Sequence, residues 1–147
     1  MIIISPYSKA LKSGKTNAKN YPYWKELIRL IKEPIVQVGI EGEQQLVDDF
    51  RKNLSLDELG KLVDQCRTWI SCDSFFQHFA WDRKKYGIVL WSVSDPLIFG
   101  HPENINLLKD RSNLVENQFL WWEDTEHDAN KFVNPEIVIE SLNANFP

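Results

Sequence analysis

Apolar residues along the chain alternate between short β-branched runs and stretches where they recur at helical spacing. The β-branched runs predict four buried strands, at Ile2 to Ser5, Ile35 to Val38, Thr68 to Ser71 and Gly87 to Trp91. Between these runs, apolar residues three or four positions apart predict helices that bury one face. The pattern therefore predicts an alternation of strands and helices.

Local signals mark the ends of the predicted helices. Pro22 stands near the first turn of one helix and Pro34 ends it. Ser55, with Glu58 three residues later, forms a capping box at the start of another. Gln44 to Arg51 is predicted as a further short helix, with its apolar side chains facing inward.

The later part of the chain is less regular. Asp73 and Ser74 stand at a strand-to-helix turn, where we expect a side-chain oxygen to cap the helix amides. Asn106 to Lys109 predicts a short edge strand, and residues 110–133 are predicted as an irregular loop. Residues 134–147 predict a closing helix, with Asn-Pro at its start and Ile137, Val138 and Leu142 on one face.

Strands that alternate with helices imply right-handed crossovers between parallel strands. The expected fold is α/β, a Rossmann-like parallel sheet with helices on both faces, as a single domain over residues 1–147. Ligands in such folds bind at the carboxyl ends of the strands. The relevant loops are therefore residues 5–21, 39–43, 72–78 and 92–102.

Composition narrows the class of protein. The chain is 43% hydrophobic and 26% charged, which is typical of a globular domain. No apolar run approaches the ~20 residues of a membrane span, and no basic segment follows Met1, so we expect a cytoplasmic protein. Cys66 and Cys72 fit neither a redox pair nor a zinc doublet, so we predict reduced structural thiols and no metal site.

Charge is distributed unevenly along the chain. The formal net charge is -4, yet residues 1–33 carry seven basic and two acidic side chains. An acidic protein is repelled by nucleic acid, so we expect no nucleic-acid partner. Lys9, Lys12, Lys15 and Lys19 share one predicted loop, which suits a phosphate, although charge alone favours a solvated, mobile loop.

Other motifs are weighed against simpler interpretations. Ser13 to Thr16 resembles the end of a P-loop but lacks its first glycine. Asp73 and His78 taken alone favour a capping residue and a half-buried histidine over ligand-binding residues. Trp121-Trp122 favours a plug at the side of the core over a stacking platform, and the acidic run Glu123 to Asp128 favours a solvated loop over a cation site.

Four segments, in order, carry a family resemblance over residues 1 to about 105. They are Ile3-Ile4-Ser5-Pro6 with Lys19-Asn20-Tyr21-Pro22 and Trp24 to Ile28, then Gly39-Ile40-Glu41, then Asp73 to Ala80, and finally Ser94-Asp95-Pro96 with Phe99-Gly100. Together they resemble the carboxyl-terminal half of the lipopolysaccharide heptosyltransferases, which are GT-B glycosyltransferases.

This resemblance implies a nucleoside diphosphate sugar as ligand and no other cofactor. In it Lys19 is the phosphate-binding lysine, and Glu41 is the acid that binds the nucleotide ribose. The full set of implied ligand-binding residues is Lys19, Gly39, Glu41, Asp73, Ser74, His78 and Asp95. Phe75 departs from the family pattern because it replaces a glycine where backbone approaches the diphosphate.

The resemblance also bears on catalysis and partners. GT-B enzymes place the acceptor site and the catalytic base on an amino-terminal domain, and this sequence begins at the nucleotide-binding half. We therefore assign no catalytic residue and expect transfer only with a separate chain that supplies the acceptor half; a homodimer is also expected. Two alternatives stay open: a non-catalytic binder of a nucleotide-like ligand, and a protein-interaction module, which Phe75 favours.

Overall fold

The β-branched runs form a six-stranded sheet in which all neighbouring strands are parallel. The computed structural model describes residues 1–147. The strands are β1 (Ile2–Ser5), β2 (Ile35–Gly39), β3 (Phe50–Lys52), β4 (Thr68–Cys72), β5 (Ile88–Trp91) and β6 (Ile105–Leu108), in the order β3-β2-β1-β4-β5-β6. The predicted Rossmann-like parallel sheet is confirmed; β6 is the predicted short edge strand, and β3 is the one strand that the sequence does not predict.

Helices cover both faces of the sheet, as predicted. Successive side chains of a strand point to opposite faces, so a single strand contributes to a core on each side of the sheet. On one face, Ile2 and Ile4 pack in a core with residues of α1 (Trp24–Leu30) and α5 (Pro135–Asn145). On the other, Ile3 packs with residues of α2 (Leu56–Gln65) and α3 (Phe75–Asp82). A short helix, α4 (Pro96–Phe99), follows β5.

The segment after β2 is not the helix that the sequence predicts. Gln37 is fully buried, and its side chain donates to the Gln44 carbonyl (2.9 Å) and accepts from the Leu46 amide (2.7 Å). These bonds hold residues 44–49 as a loop beside β2, and Phe50 then starts β3. Leu46 and Val47 of this segment pack against the core on the α1 and α5 face without forming a helix.

The predicted helix caps have mixed outcomes. Ser55 and Glu58 form the complete capping box at the start of α2, as predicted. The expected side-chain cap of α3 is wrong, because Ser74 occupies the cap position without a capping hydrogen bond and the Asp73 carboxylate has other partners. In α5, which is confirmed, Ile137 is 42% exposed rather than on the buried face.

Residues 110–133 are irregular, as predicted, apart from two 3-10 turns at Arg111–Asn113 and Ala129–Lys131. Trp121 is buried and packs in a small cluster with Ala18 and Val93, which confirms the predicted plug for this residue. Trp122 is 41% exposed, so the prediction is wrong for the second indole. Both cysteines are free and buried. No helix reaches the length and apolarity that a bilayer crossing requires.

Strand order determines where a ligand can bind. β1 pairs with both β2 and β4, so the chain leaves β1 toward one edge of the sheet and later returns to its other side at β4. The loops after β1 and β4 therefore diverge at this point. In open parallel sheets the crevice between such loops is where ligands bind.

Candidate functional site

A cleft of about 1840 Å³ opens at the carboxyl ends of β1, β2 and β4. Its walls come from the loop after β1, the turn after β2, the β4–α3 turn and part of residues 110–133. Six of the seven predicted ligand-binding residues line it: Lys19, Gly39, Glu41, Asp73, Ser74 and His78. Asp95 is the exception.

Asp73 is a buried carboxylate whose two oxygens both have protein partners. One oxygen, Oδ2, lies 3.0 Å from Lys19 Nζ and accepts a hydrogen bond from Ser94 Oγ at 2.8 Å. The other, Oδ1, accepts from Gln77 Nε2 at 2.7 Å. The side chain is 6% exposed. This carboxylate is therefore fixed by groups from three different elements.

The ion pair with Asp73 places the Lys19 ammonium at the cleft. The Lys19 side chain is 21% exposed, and its Nζ lies 5.4 Å from the ring centre of Trp121 and 5.8 Å from that of Trp122. An ammonium over indole rings is attracted by their negative faces. Asp73 uses one of the three ammonium donors, which leaves the others for a ligand acceptor.

The loop after β1 holds Lys19 in place through its own polar groups. The Ser8 amide donates to Asn20 Oδ1 (2.8 Å), the Lys19 amide donates to Asn17 Oδ1 (2.9 Å), and Ser8 Oγ donates to the Asp73 carbonyl (2.5 Å). Lys9, Lys12 and Lys15 of the same loop are exposed, so Lys19 differs from them in its burial.

The turn after β2 carries two acidic side chains with different surroundings. Glu41 is 74% exposed, and its carboxylate lies 3.5 Å from Lys52 Nζ. Glu43 folds back instead, accepts from the Ile40 amide at 2.8 Å and lies against Gly39, where a Cβ would meet its carboxylate. Burial raises the pKa of Glu43. Glycine at position 39 thus makes room for this second carboxylate.

The β4–α3 turn adds polar and aromatic groups to the cleft. Ser74 Oγ is buried without a hydrogen-bond partner, next to the first amides of α3. The Phe75 ring is 62% exposed and leans on Phe79, with ring centres 5.7 Å apart. The first four amides of a helix have no intrahelical acceptor and favour anions. Phe75 therefore lines the cleft beside groups suited to a phosphate.

His78, one turn further along α3, faces the cleft and has a histidine partner. Its Nδ1 lies 2.8 Å from Nε2 of His101, which is outside the cleft lining. Burial, followed by the nearby His101, lowers the pKa of His78.

Asp95 has a different environment from the other predicted residues. Its Oδ1 accepts from the Leu97 amide at 2.9 Å, so it caps α4. Arg111 binds both carboxylate oxygens, at 3.1 and 2.8 Å, and this hydrogen bonding lowers the pKa of Asp95. The structure thus occupies this carboxylate with protein groups and does not bring it to the cleft.

Two solved structures share this arrangement of strands and helices. The structure of E. coli ADP-heptose lps heptosyltransferase II matches with a TM-score of 0.69 and 19% sequence identity, covering 98% of this chain and 45% of that chain. Dodecameric iron-containing heptosyltransferase TibC, in complex with ADP-D-beta-D-heptose, matches with a TM-score of 0.64 and 13% identity, covering 99% and 45%. The chain has a heptosyltransferase-like fold.

This likeness is one of fold, over part of the larger proteins. The chain spans about 45% of the length of each of the two heptosyltransferases, as expected for resemblance to one half. No protein-family model matches the chain, and no curated protein matches it by sequence. The resemblance predicted from the sequence is therefore confirmed for the fold, while the roles of individual residues stay predictions.

Sequence reasoning missed several groups that the heptosyltransferase-like fold brings to the site. Ser94 and Gln77 hold Asp73, Glu43 lies over Gly39, and His101 contacts His78. Gln77 follows Asp73 by four residues, a spacing that could have suggested the contact. Glu43 belongs to the same turn as Gly39, whereas Ser94 and His101 come from turns that meet Asp73 and His78 only when the sheet is assembled. No group of three or more His, Cys, Asp or Glu side chains suited to a metal ion occurs.

Proposed function

We propose that residues 1–147 form the nucleotide-sugar-binding unit of a heptosyltransferase-like glycosyltransferase. One observation carries the proposal: the Lys19 ammonium is held 3.0 Å from the buried Asp73 carboxylate, where the loops after β1 and β4 diverge. A fixed cation at the carboxyl ends of parallel strands suits the phosphates of a nucleotide. The heptosyltransferase-like fold supports a nucleoside diphosphate sugar as the ligand.

In this proposal the diphosphate lies between Lys19 and the start of α3. The amides that follow Ser74 donate to it, and the unpartnered Ser74 Oγ is available as a further donor. Lys9, Lys12 and Lys15 also line the cleft and add positive charge near the anion. A carboxylate on the β2 turn, Glu41 in the predicted set, accepts the ribose hydroxyls.

Catalysis of sugar transfer needs more than this unit. We propose that the acceptor site and the catalytic base come from outside residues 1–147, in a separate chain or a second copy of this one. A cytoplasmic location remains part of the proposal. The TibC structure contains ADP-D-beta-D-heptose, so ADP and ADP-sugars are the first ligands to test.

The test is a thermal shift panel of ADP, UDP, GDP, CMP and their sugars, with and without Mg²⁺. A ligand at about 100 times its Kd adds ~2.7 kcal/mol to the free energy of unfolding, which raises the midpoint by several degrees. We expect one nucleotide class to act, and Lys19→Gln to abolish the shift relative to its own unliganded midpoint. Lys32→Gln, which changes an exposed lysine outside the cleft, should keep the shift. No shift with any nucleotide contradicts the proposal.

A second candidate function, a protein-interaction module, is favoured by an exposed apolar patch. Leu97 is 81% exposed, Leu120 is 78% exposed and Phe119 is 60% exposed. The rings of Phe99 and Phe119, 5.8 Å apart, join these two segments. Contiguous exposed apolar surface of this kind marks interaction sites. Association that Leu97→Glu abolishes, together with no nucleotide binding, would favour this candidate over the first.

A further inference from the structure

His78 is the residue through which the cleft connects to a second set of side chains. It lines the cleft, while its Nδ1 is 2.8 Å from Nε2 of His101, which is not among the residues that line the cleft. A neutral imidazole has one donor and one acceptor nitrogen, so a single proton lies between these two atoms and fixes the roles of both rings. The contact therefore determines which hydrogen-bonding group His78 has left for a ligand.

The His101 ring is itself held in one orientation. Trp81 stacks on it with ring centres 4.1 Å apart and an interplanar angle of 11°. The Trp81 indole is in turn fixed by donating from Nε1 to Glu103 Oε2 at 3.1 Å. Asn106 donates to the His101 carbonyl at 3.0 Å. Because His78 and Trp81 are three residues apart, one face of α3 contacts the His101 ring with both side chains.

We propose that His101 is a positioning residue that donates from Nε2 to Nδ1 of His78 and so keeps the remaining proton of His78 on Nε2, as a donor to a phosphate oxygen in the cleft. The inference rests on the proposed function, since an anion is what requires a donor at that atom. The reverse arrangement, with the proton on His78 Nδ1, would leave a lone pair facing the anion, which repels it.

The charges around His78 agree with a neutral ring in this role. His101 on the loop before β6 and Lys19 on the loop after β1 lower the pKa of His78, and Asp73 on the preceding turn raises it; burial is the largest effect and lowers it. Protonation of both rings would place two cations 2.8 Å apart and remove the acceptor at Nδ1 of His78. Protonation of both rings should therefore separate them and weaken the orientation of His78.

The first measurement reads the tautomer of the free protein from the side-chain ¹⁵N shifts of its three histidines. We expect His78 to carry its proton on Nε2 in the wild type and to become a mixture of tautomers in His101→Ala. His101→Gln, whose amide can donate to Nδ1, should restore the Nε2 proton. A wild-type proton on Nδ1, or a tautomer that His101→Ala leaves unchanged, overturns the inference even if nucleotides bind.

The second measurement compares the affinity of ADP for the wild type with its affinity for the His101 variants. We expect His101→Ala to weaken binding by about tenfold, the size of one lost hydrogen bond, and His101→Gln to recover most of it. In a His78→Ala background, His101→Ala should have no further effect. An equal loss in both backgrounds overturns the inference, because His101 would then act independently of His78. Absence of nucleotide binding by the wild type overturns the proposed function, whereas the tautomer measurement still decides the pairing.

Discussion

The two strand ends that supply carboxylates to the cleft differ in how firmly they hold them. After β4, Asp73 is buried and bonded to Lys19, Gln77 and Ser94. After β2, Glu41 is 74% exposed and lies 3.5 Å from a single exposed lysine. Preorganised groups lose little entropy when a ligand binds, whereas a mobile exposed side chain must be ordered. The β4 end is therefore suited to fix the phosphates, and the β2 end to adapt to what is attached to them.

Removing the carboxylate at the β4 end should have the largest effect. Asp73→Ala leaves the partly buried Lys19 ammonium unpaired and Ser94 and Gln77 without their acceptor, which costs about 3 kcal/mol. For a domain of this size that lowers the melting midpoint by roughly 10 °C. The matched variant Glu41→Ala should change stability by less than about 0.5 kcal/mol. Equal melting midpoints for the two variants would remove the proposed difference between the strand ends.

Gly39, at the end of β2, leaves little room for a larger side chain, although the nearby Glu41 is exposed. In Gly39→Ala the new Cβ would meet the Glu43 carboxylate and come within 3.3 Å of the Phe50 ring. Because the Glu43 carboxylate is the end of a flexible side chain that can move aside, we expect a cost of about 1 kcal/mol, measurable by urea unfolding. In a Glu43→Ala background the cost should be smaller, because the side chain that Cβ meets is gone. Additive effects of the two substitutions would show that Glu43 does not lie over Gly39.

Nucleotide binding can decide which carboxylate of the β2 turn holds the ribose. We expect Glu41→Gln to weaken binding of a ribonucleoside diphosphate by about tenfold and to weaken binding of the 2′-deoxy analogue less, because that analogue has only the 3′-hydroxyl contact to lose. Glu43→Gln is the matched control on the same turn. If Glu43→Gln produces the selective loss instead, the ribose contact belongs to the carboxylate that packs on Gly39.

The smallest effect concerns the pH dependence of stability at the β4 end. The pKa of His78 is lowered in the folded protein, so the unfolded chain takes up this proton first as the pH falls. The contribution of His78 to stability is therefore complete above the ordinary histidine pKa and declines below it. Between pH 7 and 5 the wild type should lose more stability than His78→Gln in parallel urea titrations. Identical losses would show that the folded protein does not lower this pKa.

The same comparison explains what could be predicted from the sequence. Four of the strands, β1, β2, β4 and β5, form from contiguous β-branched runs, and the capping box at Ser55 involves residues close in sequence. Both features can therefore be predicted from the sequence. The segment after β2 was mispredicted because a buried side chain, Gln37, binds its backbone. Periodicity records apolar faces and carries no information on such a bond.

The candidate site likewise contains residues that could be predicted from the sequence and contacts between them that could not. The motif around Asp73 and the loop lysine Lys19 could be found by resemblance, and both line the cleft. Their pairing could not, because Lys19 lies 54 positions before Asp73 and Ser94 lies 21 positions after it. Sheet order brings these turns together, and it is set by packing over the whole domain. Asp95 was grouped with them by motif, yet Arg111 occupies it outside the cleft.

A ¹H–¹⁵N correlation spectrum recorded during titration with ADP tests the central claim most directly, since the 147-residue chain is well suited to it. If a nucleoside diphosphate binds where the loops after β1 and β4 diverge, the largest amide shifts will fall on Lys19, on residues 39–43 and on residues 74–78. Amides at the amino ends of the same strands will stay in place. Shifts confined to the amino ends of the strands or to the apolar patch around Leu97, or no shifts at all, would contradict the account.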